Sequence, residues 1–228
     1  MEIAVLGSGM VGQTISEKLV TLGHDVTIGS RNVKDLLARS GPDSFGRPAF
    51  KDWHTKNPKV KVGTYAQAAT FGEFLVNATN GIGSLAALEL AGKNNLANKI
   101  LLDIANPLDF SKGMPPSLFI CNTDSLGEQI QRSYPDLKVV KGLNTMSASL
   151  MVNPSLLPED HNVFLNGNDN SAKAKVKELL QSFGWKMQNI IDMGDISTAR
   201  GTEQLLPIWV RLLGALKTPM FNFKIVVG

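Results

Sequence analysis

A chain that runs from an apolar stretch straight into Gly7-Ser8-Gly9-Met10-Val11-Gly12 has few ways to fold. Ile3-Ala4-Val5-Leu6 reads as a buried strand and the residues after the glycines as a helix. A second strand ends in Ile28-Gly29, about twenty residues on. Glycines at this spacing are common, and it is the strand before and the helix after that make the pattern specific. Gly7 permits the tight turn, Gly9 lets a pyrophosphate approach the backbone, and Gly12 lets helix and strand pack closely. Ser8, Met10 and Val11 complete the turn, whose unpaired helical N–H groups suit phosphate.

The end of the second strand indicates which dinucleotide. Sites for NAD place Asp or Glu there to hold the ribose hydroxyls. Here the strand runs into Ser30-Arg31-Asn32 with Lys34 close behind, and Asp25 lies before the strand. A hydroxyl, a guanidinium and an ammonium suit a dianionic 2′-phosphate, so NADP is the expected cofactor.

Composition narrows the class further. The 228 residues are 43% hydrophobic, enough for a sizeable core, and carry a net charge of +3 with both signs scattered. That small surplus does not make a nucleic-acid-binding stripe. A single cysteine, Cys121, excludes an internal disulfide and fits a reducing cytoplasm. Its setting, Leu118-Phe119-Ile120-Cys121, reads as a buried strand. The chain opens on its first core strand, so no signal peptide is expected, and it has no apolar run long enough for a membrane span.

Apolar bursts at 2–6, 25–29, 59–63, 74–78, 99–104, 117–121 and 137–142 alternate with helical stretches at about 11–22, 32–39, 65–71, 83–92 and 125–134. This alternation predicts an α/β fold, a doubly wound and mostly parallel sheet, with a short C-terminal helical appendage. Residues 40–58, rich in proline, read as an irregular excursion with one short helix. Ser125 to Glu128 has the form of a capping box. Asn162 to Leu165, a helix over 171–183 and Trp185 to Ile191 read as an extension of the same sheet. The expected organisation is a nucleotide-binding domain over 1–195 (core 1–145, extension 146–195), completed by a helix and tail over 196–228. Pro207 interrupts that last helix.

Ligands of such sheets bind at the carboxyl ends of the strands. Two small polar loops fall there. One holds Ala78, Thr79, Asn80 and Ile82; the other holds Ala105, Asn106 and Pro107. Both are candidate contacts for the nicotinamide ribose. His24, His54 and His161 sit in turns and loops without an orienting carboxylate and read as surface or structural residues. Lys141 is the best candidate for a general acid, against the alternative of an exposed lysine at a strand end. If two hydride-carrying cofactors meet in the site, no acid is needed and the protein only aligns their rings.

The chain resembles the reductases that pass hydride between NADPH and the deazaflavin coenzyme F420. The resemblance runs through Ile3 to Gly9, Leu22-Gly23-His24-Asp25 and Gly29-Ser30-Arg31, and continues in Lys138 to Thr145 and Ser197 to Glu203. Leu205 to Pro207 and Phe223-Lys224-Ile225 also match. It implies that Ser30 and Arg31 hold the 2′-phosphate. It also implies that Asn144, Thr145, Met146 and Ala148 lie beside the nicotinamide and the acceptor. Archaeal members carry histidine where this chain has Asn144. The Asn-Thr form is similar to the NADPH-binding domain of the membrane ferric reductases, which use a flavin. F420, FMN and FAD therefore all stand as acceptors. Phe221 and Phe223 of the tail, with Met146 and Ile82, are expected to line a flat acceptor slot. Apolar residues of the last helix and tail predict a homodimer. Two other readings compete. One is a small imine, pyrroline or β-hydroxyacid reductase, although such enzymes add a long helical domain. The other is a non-catalytic NADPH sensor.

Overall fold

The computed structural model describes residues 1–42 and 46–228. β1 (Glu2–Leu6) feeds α1 (Met10–Thr21), which returns to β2 (Asp25–Ser30). The chain passes through α2 (Val33–Ala38) and α3 (Phe50–Lys56) into β3 (Lys61–Thr64), then through α4 (Tyr65–Phe71) into β4 (Phe74–Asn77). A 3-10 turn at Gly81–Gly83, α5 (Ser84–Ala91) and α6 (Lys93–Leu96) lead to β5 (Ile100–Asp103). A small hairpin of β6 (Leu108–Asp109) and β7 (Ser117–Leu118) precedes α7 (Leu126–Ser133) and β8 (Lys138–Gly142). The remainder holds α8 (Ala148–Val152), β9 (Val163–Gly167), α9 (Asn170–Phe183), β10 (Ile190–Asp192), α10 (Ala199–Gln204) and α11 (Leu206–Leu216).

The eight-stranded sheet runs β10-β9-β8-β5-β4-β1-β2-β3. From β3 to β8 every pairing is parallel, as expected. These strands are near-continuous apolar runs because helices cover both faces. Along β1 the side chains alternate: Ile3 and Val5 join one core with Ile15, Leu19 and Val176, while Ala4 and Leu6 join the other with Ala68, Leu88 and Ile130. The strand order reverses between β1 and β4, which opens a crevice at the carboxyl edge.

β9 and β10 extend the same sheet, with one reversal. β9 is antiparallel to β8, with Gly142 opposite Leu165 and Val140 opposite Gly167. The start of β9 therefore lies at the edge where β8 ends. The C-terminal tail docks at that point: Asn162 N–H donates to the Phe223 carbonyl at 2.9 Å, and Ile225 N–H to Asn162 Oδ1 at 2.7 Å.

The expectations for residues 117–121 and for the cap of α7 need correction. Residues 117–121 give only the two-residue β7, outside the main sheet, and Cys121 is exposed. β5 pairs directly with β8, which leaves no place between them for another strand. The capping box at α7 is half formed: Ser125 Oγ accepts from Glu128 N–H at 3.1 Å, but the Glu128 carboxylate turns to the Ser125 hydroxyl and to Arg200. Pro207 interrupts the last helical stretch as expected: α10 ends at Gln204 and α11 starts at Leu206, with Pro207 in its first turn, where its missing N–H leaves no bond unmade. The 40–58 excursion contains α3, and its residues 43–45 lie outside the described ones. Among the described residues no helix is long and apolar enough to cross a membrane.

Candidate cofactor and hydride-transfer site

The turn between β1 and α1 is shaped by backbone. Gly7 has φ +121°, and a Cβ there would stand 2.5 Å from the Ala78 carbonyl oxygen. A Cβ on Gly12 would stand 1.9 Å from the Gly7 oxygen, so only glycine lets helix and turn approach this closely. Gly9 differs, with nothing within 4 Å of where its Cβ would lie. No side chain caps α1 and no acidic residue sits in its first turn, so its leading N–H groups are open to an anion. The Gln13 amide donates to the Ser8 carbonyl at 2.8 Å and steadies the turn from below, a contact not foreseen from sequence. Met10 is exposed and Val11 half-buried beside it. This open, donor-rich cradle fits a pyrophosphate. A cavity of about 760 Å³ leads from Ser8, Gly9 and Met10 along the flank of α1 toward Trp53.

At the end of β2, Ser30 is buried at the rim while Arg31 and Lys34 are exposed beyond it. Asn32 does not join them. It caps α2, accepting from Asp35 N–H at 3.1 Å. Burial raises the pKa of the Tyr65 phenol, and the nearby Arg31 charge opposes that rise. Arg31 thus lies near enough to Tyr65 for its charge to act there.

The other half of the edge is built from side chains. Asn77, Asp103, Lys141 and Asn166 are in-register neighbours on β4, β5, β8 and β9, a polar row across an otherwise apolar sheet. The Asn77 amide donates to Asp103 Oδ1 at 2.8 Å. Lys141 Nζ lies 2.6 Å from Asp103 Oδ2, 2.8 Å from Glu203 Oε1 and 2.6 Å from the Ala105 carbonyl. Glu203 also accepts from the N–H groups of Leu126 and Gly127 at the start of α7, at 2.8 and 3.0 Å. Thr202 Oγ1 donates to Asn166 Oδ1 at 3.1 Å. Burial alone would lower the Lys141 pKa, but the Asp103 and Glu203 carboxylates outweigh it and hold the ammonium above its ordinary value. Lys141 is 0% exposed, so the alternative of a solvated strand-end lysine is overturned. Sequence reasoning did not foresee this network, since the partners of Asn77, Asp103 and Glu203 lie far away along the chain.

Above this row the strand-end loops lock together. The Asn106 amide donates to the Asn144 carbonyl at 2.8 Å, and the Asn144 amide to Asn106 Oδ1 at 2.9 Å. A Cβ on Gly81 would stand 1.9 Å from the Asn106 carbonyl oxygen, so the β4 loop lies directly against the β5 loop. Ala78 and Thr79 are half-buried, Asn80 and Ile82 exposed, Asn106 half-buried, and Ala105 and Pro107 buried. Asn144, Thr145 and Ala148 are buried at the same edge. Met146 differs from its expected place: it is enclosed in the core with Leu150 and Met151 and does not line an open slot. The tail reaches the rim, with Met220 Sδ 3.8 Å from Ser149 Oγ. Phe221 stacks on Trp209 at 5.3 Å, and Phe221 and Phe223 are half-buried. The histidines are tied to structural partners. His24 Nδ1 meets the N-terminal ammonium, His54 Nε2 the Val60 carbonyl, and His161 the Pro154 carbonyl and the Asn222 amide.

A phosphate cradle at the first turn, cations at the second strand end and a polar ledge at the crevice define an NADP-dependent oxidoreductase on a Rossmann sheet. A family model described as NADP oxidoreductase coenzyme F420-dependent matches residues 2–107. A crystal structure from Arthrobacter sp. FB24, described as a candidate F420-dependent NADP-reductase, is 56% identical across 100% of both chains, with a TM-score of 0.94. The chain belongs to the F420-dependent NADP oxidoreductase family. Metalloreductase STEAP3 of Rattus norvegicus is 28% identical over 91% of this chain, and metalloreductase STEAP2 of Homo sapiens 27% identical over 89%. The chain spans only 38% and 35% of the length of these two curated relatives. An imine reductase of Streptomyces aurantiacus, 15% identical with a TM-score of 0.62, covers 95% of this chain and 64% of its own length and shares the fold alone.

Proposed function

We propose that this protein transfers hydride between NADP(H) and a planar deazaflavin or flavin acceptor at the carboxyl edge of the sheet. The observation that carries the reading is the sealed state of Lys141. An ammonium has three N–H donors; here Nζ donates to the buried Ala105 carbonyl and forms ion pairs with two buried carboxylates, those of Asp103 and Glu203. The strongest general-acid candidate is thereby removed from the chemistry, as the histidines are by their own partners. What remains is a site that binds and aligns. The nicotinamide supplies the hydride when bound, and a second ring system needs no protein acid to receive it.

In this reading the first N–H groups of α1 hold the pyrophosphate, while Ser30, Arg31 and Lys34 hold the 2′-phosphate. The Ala78–Ile82 and Ala105–Pro107 loops flank the nicotinamide ribose. Asn144, Thr145 and Ala148 form the floor on which the rings meet, and Phe221 and Phe223 form a wall from the tail. Asn144 in place of the family histidine keeps FMN and FAD beside F420 as acceptors. The single cysteine suits a reducing cytoplasm. A homodimer is proposed through the face of α11 and the tail, where Ile208, Leu216, Ile225, Val226 and Val227 are all at least half exposed.

NADPH oxidation followed at 340 nm with F420, FMN, FAD and riboflavin in parallel tests the proposal. Turnover with one of these ring systems and none with imines or 2-oxoacids is the expected result. Turnover with an imine alone would overturn it.

A further inference from the structure

Two stretches that carry the family resemblance, Lys138 to Thr145 and Ser197 to Glu203, meet in one buried contact, the 2.8 Å pair of Lys141 and Glu203. We propose that Lys141 is a positioning residue. Its ammonium sets the place of the Ala105–Asn106 backbone and, through the Asn106–Asn144 pair, the ledge beneath the nicotinamide. The inference rests on the reading that this ledge takes the nicotinamide.

Lys141 reaches the ledge directly, through the Ala105 carbonyl at 2.6 Å. The next residue, Asn106, makes the reciprocal amide pair with Asn144. From below, Asp103 on the adjacent strand and Glu203 on α10 fix the ammonium from two sides. Glu203 is itself fixed by the first N–H groups of α7. One cation faces two carboxylates, and the positive end of α7 offsets the remaining negative charge. Stability alone does not call for this arrangement, since a buried ion pair is often no better than an apolar replacement of the same volume. What an apolar side chain cannot do is grip a backbone carbonyl. The ammonium ties one loop of the ledge to β5, α7 and α10 together.

Two variants keep the size of the cluster while loosening the grip, Lys141→Met and Glu203→Gln. Dissociation constants are measured for 2′,5′-ADP, which probes only the phosphate end, and for NADP⁺, which adds the nicotinamide end. Single-turnover oxidation of NADPH by FMN gives the transfer rate. In both variants 2′,5′-ADP should bind as in the parent, while NADP⁺ weakens by about fivefold and transfer slows by about 10- to 100-fold, the scale of a small misplacement of reacting groups. Equal weakening of the two ligands, or an unchanged ratio of their constants, would assign the cluster to the fold alone and overturn the inference. If Lys141→Met does not fold, Glu203→Gln decides by the same ratio. A parent protein that binds 2′,5′-ADP but gains nothing from the nicotinamide end would instead show that the ledge reading is wrong, and the inference falls with it.

Discussion

The two ends of the candidate cofactor site are made of different material. Around β1 and α1 the site is backbone: Gly7, Gly9 and Gly12 shape a turn whose donors are main-chain N–H groups. Around β5 and β8 it is side chain, where Asn77, Asp103, Lys141 and Glu203 interlock beneath the Asn106–Asn144 pair. The first end stays open: Gly7 and Gly12 leave no room for a Cβ, and one side chain, Gln13, steadies the turn through the Ser8 carbonyl. The second is closed, and each polar group depends on a partner from a distant part of the chain. Loss of one partner there leaves another buried without compensation.

The largest effect should come from the closed end. Lys141→Ala strands two buried carboxylates, and unfolding in denaturant should show a loss of about 3–5 kcal/mol. The pH dependence has a definite sign. Because the folded pKa of Lys141 is raised, its contribution is complete below the ordinary lysine value of 10.5 and is lost as pH rises through the folded value. The alkaline decline in stability of the parent should therefore be blunted in Lys141→Met.

At the open end, Gly12→Val places a Cβ where the Gly7 carbonyl already lies, and calorimetry should show NADP⁺ affinity down by about a hundredfold or more, ~2.7 kcal/mol. Gly9→Ala sharpens the contrast. Its φ of −75° suits alanine and its Cβ meets open space, so the melting temperature should hold while the cofactor weakens by about tenfold. A melting point that fell with the affinity would show that Gly9 supports the fold as well. Arg31→Ala should erase about tenfold of the preference for NADPH over NADH, ~1.4 kcal/mol and one charge-assisted hydrogen bond. The smallest effect lies away from both ends. Hydrogen bonds from Arg132 hold Asp124 at about 2, so its contribution is present above the ordinary 3.8 and fades as pH falls toward 2. Asp124→Asn should flatten that acid limb slightly, since the pair is partly exposed.

The same contrast explains what could be read in the sequence. The glycine turn, the Ser30-Arg31 corner and the alternation of strands and helices are local patterns, and each is legible within a few neighbours. Lys141 is not such a case. Its surroundings, Val139-Val140-Lys141-Gly142, are those of any strand end, and only the return of α10 some sixty residues later, bringing Glu203, makes it a core residue. Likewise Leu118 to Cys121 has the letters of a strand, but the direct pairing of β5 with β8 had already filled the sheet. Met146 fits an apolar slot by type, and whether it faces slot or core depends on how α8 lies on the sheet.

The reversal of β9 has a consequence for how such a protein can diversify. Because β9 begins where β8 ends, Asn162 can moor residues 222–225 at this edge through bonds to Phe223, Asn222 and Ile225. The nucleotide end is formed by the first residues of the chain and this rim by the last. Exchange of the final segment can therefore refit one lip of the crevice for a different partner ring without touching the glycines that grip the phosphates. The terminus is thus a replaceable jaw mounted on a fixed handle.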